Sequence, residues 1–392
     1  MLNSPFSPWP SFSEVEANAV RDVILSNKVN YWTGQECREF EKEFAAWAGT
    51  DYAIALANGT VALDLAFQAL GIGAGDEVIV TSRTFLASVS SIVNAGANPV
   101  FADVDRDSQN ITAQSIEAVL TPKTRAIVCV HLAGWPCDMD PIMALADKHD
   151  LKVIEDCAQA HGAQYKGRPV GSIGHVGAWS FCQDKIMTTG GEGGMVTTND
   201  RALWSSMWSY KDHGKSWEAV YERQHGPGFR WLHESFGTNW RMLEVQGVLG
   251  RIQLRQMPQW HAKRAENASK IWEAARNLPG LRVPVVPADI QHAAYKCYVF
   301  VEPSVLKADW SHERIYREIS ARGVPCFPGG CSEVYLEKAF DGTPWRPLER
   351  LPVARELGDT SLMFLVHPTL TADEIGKTCQ VLADVMREAT VG

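Results

Sequence analysis

The chain has 392 residues, of which 45% are hydrophobic and 21% charged, and its net charge is −9 at pH 7. This acidic balance argues against nucleic acid as the main partner, because phosphate backbones select basic surfaces. The apolar runs are too short to span a bilayer and the N-terminus has no signal-peptide pattern, so we expect a cytoplasmic protein without a membrane partner. The nine cysteines form no CxxC pair and no spacing typical of metal ligands, which predicts reduced thiols and no metal site.

The first fifty residues predict an arm followed by two helices. Residues 1–12 carry three prolines and three aromatic residues, which predicts an extended arm that docks through its rings, with a second subunit as one option. Ser13 and Glu16 have the capping-box spacing that starts a helix. A second helix is expected over 35–48, where Gly49 supplies the stop.

Strands and helices then alternate along the chain. The predicted strands cover 52–57, 77–81, 99–102, 125–132 and 151–155, and the predicted helices cover 60–70, 84–95, 113–120 and 140–149. Such alternation is typical of βαβ units, so we predict an α/β fold with a large, mostly parallel sheet flanked by helices. Ligands of these sheets bind beyond the carboxyl ends of the strands.

The pattern changes near residue 250. A long helix over about 240–275 leads to a strand at 295–301 and helices at 311–322 and 372–388. We therefore predict an N-terminal arm (1–12), a large domain (13–250) and a smaller C-terminal α+β domain (251–392).

The first strand is followed by Asn58-Gly59-Thr60, which opens a helix. Free amides and the helix dipole make a helix N-terminus an anion site, and glycine lets the backbone approach closely. The alternative is an ordinary helix cap by Asn58 or Thr60.

Asp156 is predicted at the carboxyl end of the fifth strand. A buried carboxylate there is costly unless it is paired. One interpretation is a structural ion pair or a helix cap. The other is a partner for a protonated ring nitrogen, as in pyridoxal phosphate chemistry.

Lys185 lies between a strand that ends at Ser180 and a glycine-dense turn over 190–194. A lysine held between buried strands is poorly hydrated, which favours the neutral amine needed for a Schiff base. The alternative is an ordinary surface lysine. The order of phosphate loop, Asp156 and Lys185 predicts a pyridoxal phosphate site.

Other side chains leave their interpretation open. Phe85 follows a strand and is either a ring that stacks on a cofactor or a core aromatic residue. For His131 and His161 the sequence does not decide between a structural and a catalytic role. The simplest interpretation of Asn239 is a cap for the long helix.

Taken together, these motifs resemble the DegT/DnrJ/EryC1/StrS family of sugar aminotransferases, which have the fold-type-I pyridoxal phosphate fold. The resemblance covers roughly residues 10–390. Its motifs, in order, are Gly59-Thr60, Gly75-Asp76-Glu77-Val78, Thr84-Phe85, the run from Glu155 to Ala163, Ser180-Phe181, Lys185, Gly191-Glu192-Gly193-Gly194, and Gly237, Asn239 and Arg241.

The resemblance implies roles around the cofactor ring. Lys185 would form the Schiff base and move the proton. Asp156 would pair the ring nitrogen, Gln159 would contact the ring hydroxyl, and Phe85 would stack on the ring.

The resemblance also implies how the phosphate and the subunits are arranged. Gly59, Thr60 and Ser180 would bind the phosphate of pyridoxal 5'-phosphate. Asn239 would reach this phosphate from the neighbouring subunit, so the enzyme is expected to be a homodimer with shared active sites. L-Glutamate is the expected amino donor.

Two stretches depart from the family pattern and bear on the substrate. Residues 324–335 replace the segment that usually meets a nucleotide sugar. Residues 214–237 are rich in basic and aromatic groups, and Arg223 and Arg230, with Arg241 of the family motif, are candidate substrate residues because guanidinium groups bind carboxylate or phosphate. A surface pairing of the arginines with nearby glutamates is the alternative.

These departures favour a keto or aldehydo acid sugar, as in the branch of the family that makes 8-amino-3,8-dideoxy-octulosonate for cell-surface polysaccharide or lipopolysaccharide. The first alternative is an aminotransferase acting on a nucleotide-linked keto-deoxyhexose. Alternatives of other classes are a pyridoxamine-dependent sugar dehydratase, against which Lys185 argues, and a non-catalytic regulatory protein.

Overall fold

The computed structural model describes residues 5–391; residues 1–4 of the predicted arm, and Gly392, lie outside the described range. The α-helices are α1 Glu14–Leu25, α2 Glu36–Ala48, α3 Gly59–Ala69, α4 Ala87–Asn94, α5 Ala113–Glu117, α6 Met139–His149, α7 Arg201–Tyr210, α8 Trp217–Tyr221, α9 Glu244–Arg276, α10 His312–Ala321, α11 Pro352–Thr360 and α12 Ala372–Ala389. The strands are β1 Tyr52–Leu56, β2 Glu77–Thr81, β3 Asn98–Ala102, β4 Thr124–Val130, β5 Lys152–Asp156, β6 Gln164–Tyr165, β7 Arg168–Pro169, β8 Val176–Ser180, β9 Gly194–Thr198, β10 Leu281–Arg282, β11 Ile290–Gln291, β12 Cys297–Val301, β13 Cys326–Phe327 and β14 Ser361–Phe364.

The largest sheet has seven strands in the order β1-β9-β8-β5-β4-β2-β3. Strands β3, β2, β4, β5 and β8 pair in parallel, whereas β9 runs antiparallel to both of its neighbours. The predicted α/β fold with a mostly parallel sheet is therefore confirmed, with β9 as the reversed strand.

Both faces of this sheet are buried, and β2 shows how its sequence achieves this. Val78 and Val80 pack into one hydrophobic cluster with Leu63 of α3. Ile79, which lies between them, packs on the opposite face with Ile142 of α6. Because successive side chains of a strand point to opposite faces, an unbroken apolar run covers both sides of the sheet.

The helix signals of the N-terminal region are confirmed. Ser13 and Glu16 form a complete capping box at the start of α1. Gly49 ends α2 in the left-handed region with φ of 67°. A residue with a Cβ would be strained in this backbone conformation.

A second, four-stranded antiparallel sheet has the order β10-β12-β14-β13 and packs with α10 and α12; we call this the C-terminal unit. The helix α9 runs from the seven-stranded sheet to this unit without a break. The predicted boundary at residue 250 falls inside α9, so the division into domains 13–250 and 251–392 stays a prediction. A small three-stranded sheet, β11-β6-β7, is additional.

The described part of the N-terminal arm docks on its own chain. The ring of Trp9 packs edge-on against Trp260, with centroids 5.0 Å apart, and stacks on His367 at 6.0 Å. Thr369 Oγ1 donates a 2.8 Å hydrogen bond to the carbonyl of Pro8. The sequence predicted docking through aromatic rings, and Trp9 docks in this way on its own chain. Within the described residues, no helix is both long and apolar enough to cross a membrane.

Candidate active site

One edge of the seven-stranded sheet carries the loops that follow β1, β2, β5 and β8, since these strands point the same way. The loops surround a cavity of about 670 Å³. It is lined by nearly all of the residues that the sequence proposed for the cofactor, namely Gly59, Thr60, Phe85, Asp156, Gln159, Ser180 and Lys185. The structure therefore brings together motifs that span 127 residues of sequence, from Gly59 to Lys185.

The N-terminus of α3 forms one end of this cavity. Asn58 caps the helix by accepting a 3.0 Å hydrogen bond from the amide of Val61, as one interpretation of the sequence proposed. A Cβ on Gly59 would lie 2.6 Å from Cβ of Ser180, so only glycine lets the helix end approach β8 this closely. The first helix amides, the helix dipole and the Ser180 hydroxyl together suit a phosphate group.

Asp156 lies at the base of the cavity with a carboxylate that lacks a cationic partner. Its side chain is 6% exposed. Oδ2 accepts a 2.7 Å hydrogen bond from the Ser88 hydroxyl, and Oδ1 accepts one of 3.1 Å from the amide of Ala158. Among residues 5–391, no lysine, arginine or histidine forms an ion pair with it, so the structural ion pair considered from sequence is not formed. A buried anion that faces a cavity suits a protonated ring nitrogen.

Lys185 follows β8 and reaches the same cavity. Its side chain is only 17% exposed and Nζ lies 3.9 Å from Asp184 Oδ1, so it is not a free surface lysine. Nζ also lies 5.2 Å from the centroid of the Tyr295 ring. Burial alone would raise the pKa of Asp184, but the Lys185 cation and the Tyr295 hydroxyl lower it below its usual value. The amine is thus held beside a charged carboxylate.

Phe85 and Gln159 complete the wall around the cavity. Phe85 is 72% exposed, so it is not a core residue and its ring is available for stacking. Gln159 Oε1 accepts a 2.8 Å hydrogen bond from the amide of Ala133. Since this contact uses the amide oxygen, the NH₂ group of Gln159 is left to donate to a ring hydroxyl.

The two histidines that the sequence left open do not line the cavity. His131 Nε2 is 2.9 Å from Glu155 Oε2, and its Nδ1 accepts a hydrogen bond from the amide of Cys137. His161 packs against the rings of Trp179 and Phe181, and burial lowers its pKa to about 3. Both histidines are therefore structural residues that pack against the segments carrying the site residues.

A buried group of His131, Glu155 and Cys157 has the composition of a metal site, with ligand atoms within 4.8 Å of one another. The Glu155 oxygens, however, also accept hydrogen bonds from the amides of Gly171, Ile173 and Gly174. Burial raises the pKa of Cys157, which keeps the thiol protonated. His131, Glu155 and Cys157 thus form a buried cluster held by hydrogen bonds.

The predicted substrate arginines do not line the cavity of their own chain. Arg223 forms a 2.7 Å ion pair with Glu234, both about half exposed, and Arg230 is exposed. Arg241 Nη1 lies 2.6 Å from Asp212 Oδ1 and is 14% exposed. Within a single chain, the surface ion pair considered as the alternative is therefore what Arg223 forms, and Arg241 serves a structural pair.

Asn239 does not line this cavity either, and it does not cap the long helix, because α9 begins at Glu244 with Leu243 at its N-cap position. Asn239 is exposed, and its backbone forms a bridge with Asp212. A role for Asn239 at the phosphate of the same chain is thus not compatible with this geometry.

A second cavity, of about 360 Å³, adjoins the first and shares Lys185, Phe85 and Gln159 with it. Its other wall comes from the C-terminal unit and from the departing stretch 324–335, through Tyr295, Lys296, Tyr298, Phe327, Gly329, Gly330 and Cys331. Sequence reasoning missed Ser88 and Lys296. Ser88 lies in the first turn of α4, four residues after Thr84, and the hydroxyls of the two residues are 2.8 Å apart. A hydroxyl at the start of the helix that follows a strand of the main sheet was the signal that could have found it.

Comparison with known proteins identifies this arrangement. The family model described as "DegT/DnrJ/EryC1/StrS aminotransferase family" matches residues 10–383. The GDP-perosamine synthase of Escherichia coli O157:H7 is 33% identical over 375 residues, which is 95% of each chain. The UDP-N-acetyl-3-dehydro-alpha-D-glucosamine 3-aminotransferase of Acidithiobacillus ferrooxidans is 35% identical over 376 residues, which covers 93% of this chain and 94% of the relative.

Among solved structures, an aminotransferase from Psychrobacter cryohalolentis is 68% identical, with a TM-score of 0.96 and coverage of 98% of this chain and 99% of its own. The fold and the cavity define a pyridoxal phosphate-dependent aminotransferase. The chain belongs to the DegT/DnrJ/EryC1/StrS aminotransferase family.

Proposed function

We propose that the protein transfers the amino group of L-glutamate to the carbonyl carbon of a nucleotide-linked keto sugar. The observation that carries the proposal is the arrangement of Lys185, Asp156 and the N-terminus of α3 around one cavity. An amine, a carboxylate and an anion site are the three groups that hold pyridoxal phosphate and use its chemistry. Lys185 also argues against the dehydratase alternative, in which this lysine is replaced.

The residues around the cavity support definite tasks. When bound, pyridoxal phosphate supplies an electron sink for the bond that breaks at the amino carbon. Asp156 would keep the proton on the ring nitrogen, and the Ser88 hydroxyl orients this carboxylate. Lys185 Nζ would take the proton from the α-carbon of the donor and later return a proton to the carbon that receives the amine.

The printed names of the relatives support a nucleotide-linked sugar, since one makes GDP-perosamine and another acts on a UDP-linked 3-dehydro sugar. The free acid sugar of the octulosonate type is the second candidate. It depended on Arg223 and Arg230, which lie outside both cavities of their chain. One observation still favours the acid sugar. Residues 324–335, which differ from the family pattern, line the second cavity through Phe327 and Gly329.

We also propose that the protein is a homodimer with shared sites. Three large apolar side chains lie close in sequence and are strongly exposed, Phe229 at 77%, Trp231 at 80% and Phe236 at 99%. Exposed apolar groups of this size mark protein–protein contacts. Asn239 follows them and is also exposed, so a second copy that covers this segment could receive Asn239 at its phosphate site.

A substrate screen tests the proposed reaction. The enzyme is incubated with L-glutamate and, in separate reactions, GDP-, UDP- and dTDP-linked keto-hexoses and free keto or aldehydo acid sugars. Mass spectrometry detects 2-oxoglutarate and the aminated sugar. The proposal expects the fastest turnover with a nucleotide-linked sugar; faster turnover of an acid sugar would select the second candidate.

A further inference from the structure

Lys296 is a cation near the reactive lysine that the chemistry described above does not use. It directly precedes β12 and lines the second cavity together with Lys185. Its Nζ lies 4.7 Å from the centroid of the Tyr295 ring. The ring of Tyr295 also lies 5.2 Å from Lys185 Nζ, so both amines are close to one aromatic side chain. Among residues 5–391, Lys296 forms neither an ion pair nor a side-chain hydrogen bond.

The surroundings of Lys296 carry an excess of positive charge. Burial lowers the pKa of Lys296 to about 8, Asp184 opposes this shift, and Arg264 and Lys185 add to it. Arg264 is 1% exposed, and its Nε and Nη2 have no hydrogen-bond partner among the described residues. Asp184 is the neighbouring carboxylate, and it already accepts the hydroxyl of Tyr295. Besides Lys185, which the cofactor would engage, the two cations Lys296 and Arg264 thus lie near one engaged carboxylate, and such a site favours an anionic ligand.

The position of Lys296 indicates which anion it meets. An amino acid carries its carboxylate on the same carbon as the reacting amine, so its charge must lie close to the reactive lysine. A nucleotide sugar carries its phosphates on a different ring carbon, followed by a nucleotide that needs an open path. Lys296 lies on the wall between Tyr295 and Tyr298, with the backbone of Gly330 held by the Tyr298 hydroxyl at 3.0 Å. Because Lys296 and Lys185 both lie near the Tyr295 ring, Lys296 suits the carboxylate that an amino donor carries beside its reacting amine better than a remote diphosphate.

We propose that Lys296 binds a carboxylate of the amino donor in the second cavity and thereby acts as a residue that determines donor recognition. The inference rests on the proposed function, because it takes an amino acid such as glutamate as the donor. It assigns one wall of the active site to the donor and leaves the phosphate site at α3 to the cofactor.

The test compares Lys296→Met, which keeps the length of the side chain and removes its charge, with Lys296→Arg, which keeps the charge. Lys123→Met, at an exposed position away from both cavities, is the matched control. With the cofactor-loaded enzymes, the glutamate half-reaction is followed by cofactor absorbance, and the binding of glutarate, a dicarboxylate without an amine, is measured by calorimetry. The sugar half-reaction is measured separately.

Lys296→Met should raise the glutamate KM and the glutarate Kd by about 10- to 100-fold, because a charged hydrogen bond is lost. The limiting rate constant of the glutamate half-reaction and the sugar KM should change much less. Lys296→Arg should recover part of the loss, and Lys123→Met should behave as wild type. An unchanged glutarate Kd in Lys296→Met overturns the inference, and so does a defect confined to the sugar half-reaction.

Two further measurements keep the result unambiguous. If Lys296→Met loses the cofactor, glutarate is titrated into the wild-type enzyme at pH values on both sides of 8, the approximate pKa of Lys296. The Kd should rise as Lys296 loses its proton above this pH in the wild type but not in Lys296→Arg, which controls for Arg264, whose pKa burial lowers to about 9. A flat wild-type profile, or the same rise in Lys296→Arg, would refute the inference. If the wild-type enzyme turns over no sugar, the proposed function fails, whereas the glutarate titrations still decide whether Lys296 binds a carboxylate.

Discussion

The indole nitrogen of Trp9 donates a 2.8 Å hydrogen bond to the backbone carbonyl of Lys185. The same arm is tied to the C-terminal unit, where the Ser7 hydroxyl donates a 3.1 Å hydrogen bond to Glu374. The cation of Arg264 lies 5.0 Å from the Trp9 ring centroid. The N-terminal arm thus connects the surface of the C-terminal unit with the segment that carries the reactive lysine.

The first prediction concerns this contact. Trp9→Phe keeps an aromatic ring and removes the donor to the Lys185 carbonyl. We expect the free energy of unfolding to fall by about 1 kcal/mol, the usual contribution of one hydrogen bond, as measured by chemical denaturation. The rate constant of the glutamate half-reaction should fall by about two- to tenfold, because the backbone of Lys185 is held less firmly.

Trp345→Phe is the matched control for this variant. Its indole nitrogen also donates a hydrogen bond, at 2.9 Å to Asn98 Oδ1, and neither residue lines either of the two cavities. It should lose similar stability and keep the wild-type rate constant. Equal loss of rate in both variants would show that the arm has no particular effect on Lys185.

The second prediction concerns Asp156. Asp156→Asn removes the charge that would keep the ring nitrogen protonated, so the glutamate half-reaction should slow by about two to four powers of ten. Stopped-flow absorbance measures this rate constant. Ser88→Ala removes only the 2.7 Å hydrogen bond to the carboxylate and should have a much smaller effect. A near-normal rate in Asp156→Asn would reduce the carboxylate to a structural role.

The third prediction concerns acid stability. His161 stays neutral in the folded protein because burial lowers its pKa from 6.5 to about 3. Between these two values the unfolded chain binds a proton that the folded chain does not, so the free energy of unfolding falls as the pH decreases below 6.5. The contribution of one such group is at most ~1.4 kcal/mol per pH unit.

His161→Phe lacks this titration and retains a ring beside Trp179 and Phe181. The free energies of unfolding of wild type and variant, from urea titrations at several pH values, should diverge below pH 6.5 with the variant less sensitive to acid. Parallel curves would mean that another group causes the loss of stability in acid.

The fourth prediction concerns subunit sharing. Lys185→Ala and Asn239→Asp are each expected to be inactive or weak, and their mixture should regain activity. If Asn239 serves the neighbouring site, each hybrid dimer holds one site with neither substitution, and random exchange restores up to about a quarter of wild-type activity. Mass-tagged subunits verify exchange. If subunit exchange is proven but no activity is recovered, Asn239 does not serve the site of the neighbouring subunit.

The sequence predicted the elements that show strong periodicity and the residues that follow the parallel strands. Gly59 and Lys185 were singled out because each follows a strand of the main sheet, and Asp156 because it ends one. Such strand ends meet at one edge, and the structure places all three residues on one cavity. Elements of two residues, such as β6 and β7, were missed because they are too short to show alternation.

The other residues of the site could not be predicted, because their positions depend on the tertiary structure. Lys296 belongs to a different sheet from Lys185, and their common cavity depends on how the C-terminal unit packs. Trp9 reaches Lys185 across 176 residues of sequence. The arginine-rich stretch 214–237 suggested substrate contacts from composition alone, but composition does not distinguish a cavity wall from a surface ion pair such as Arg223 with Glu234.

The central claim is that Lys185 holds the cofactor covalently, and borohydride reduction tests it most directly. The purified protein, which we expect to be yellow, is reduced, digested and mapped by mass spectrometry, with Lys185→Ala treated in parallel. The cofactor adduct should lie on Lys185 in the wild type and be absent from the variant. An adduct on Lys296, the other amine of the adjoining cavity, or on any further lysine would contradict the account.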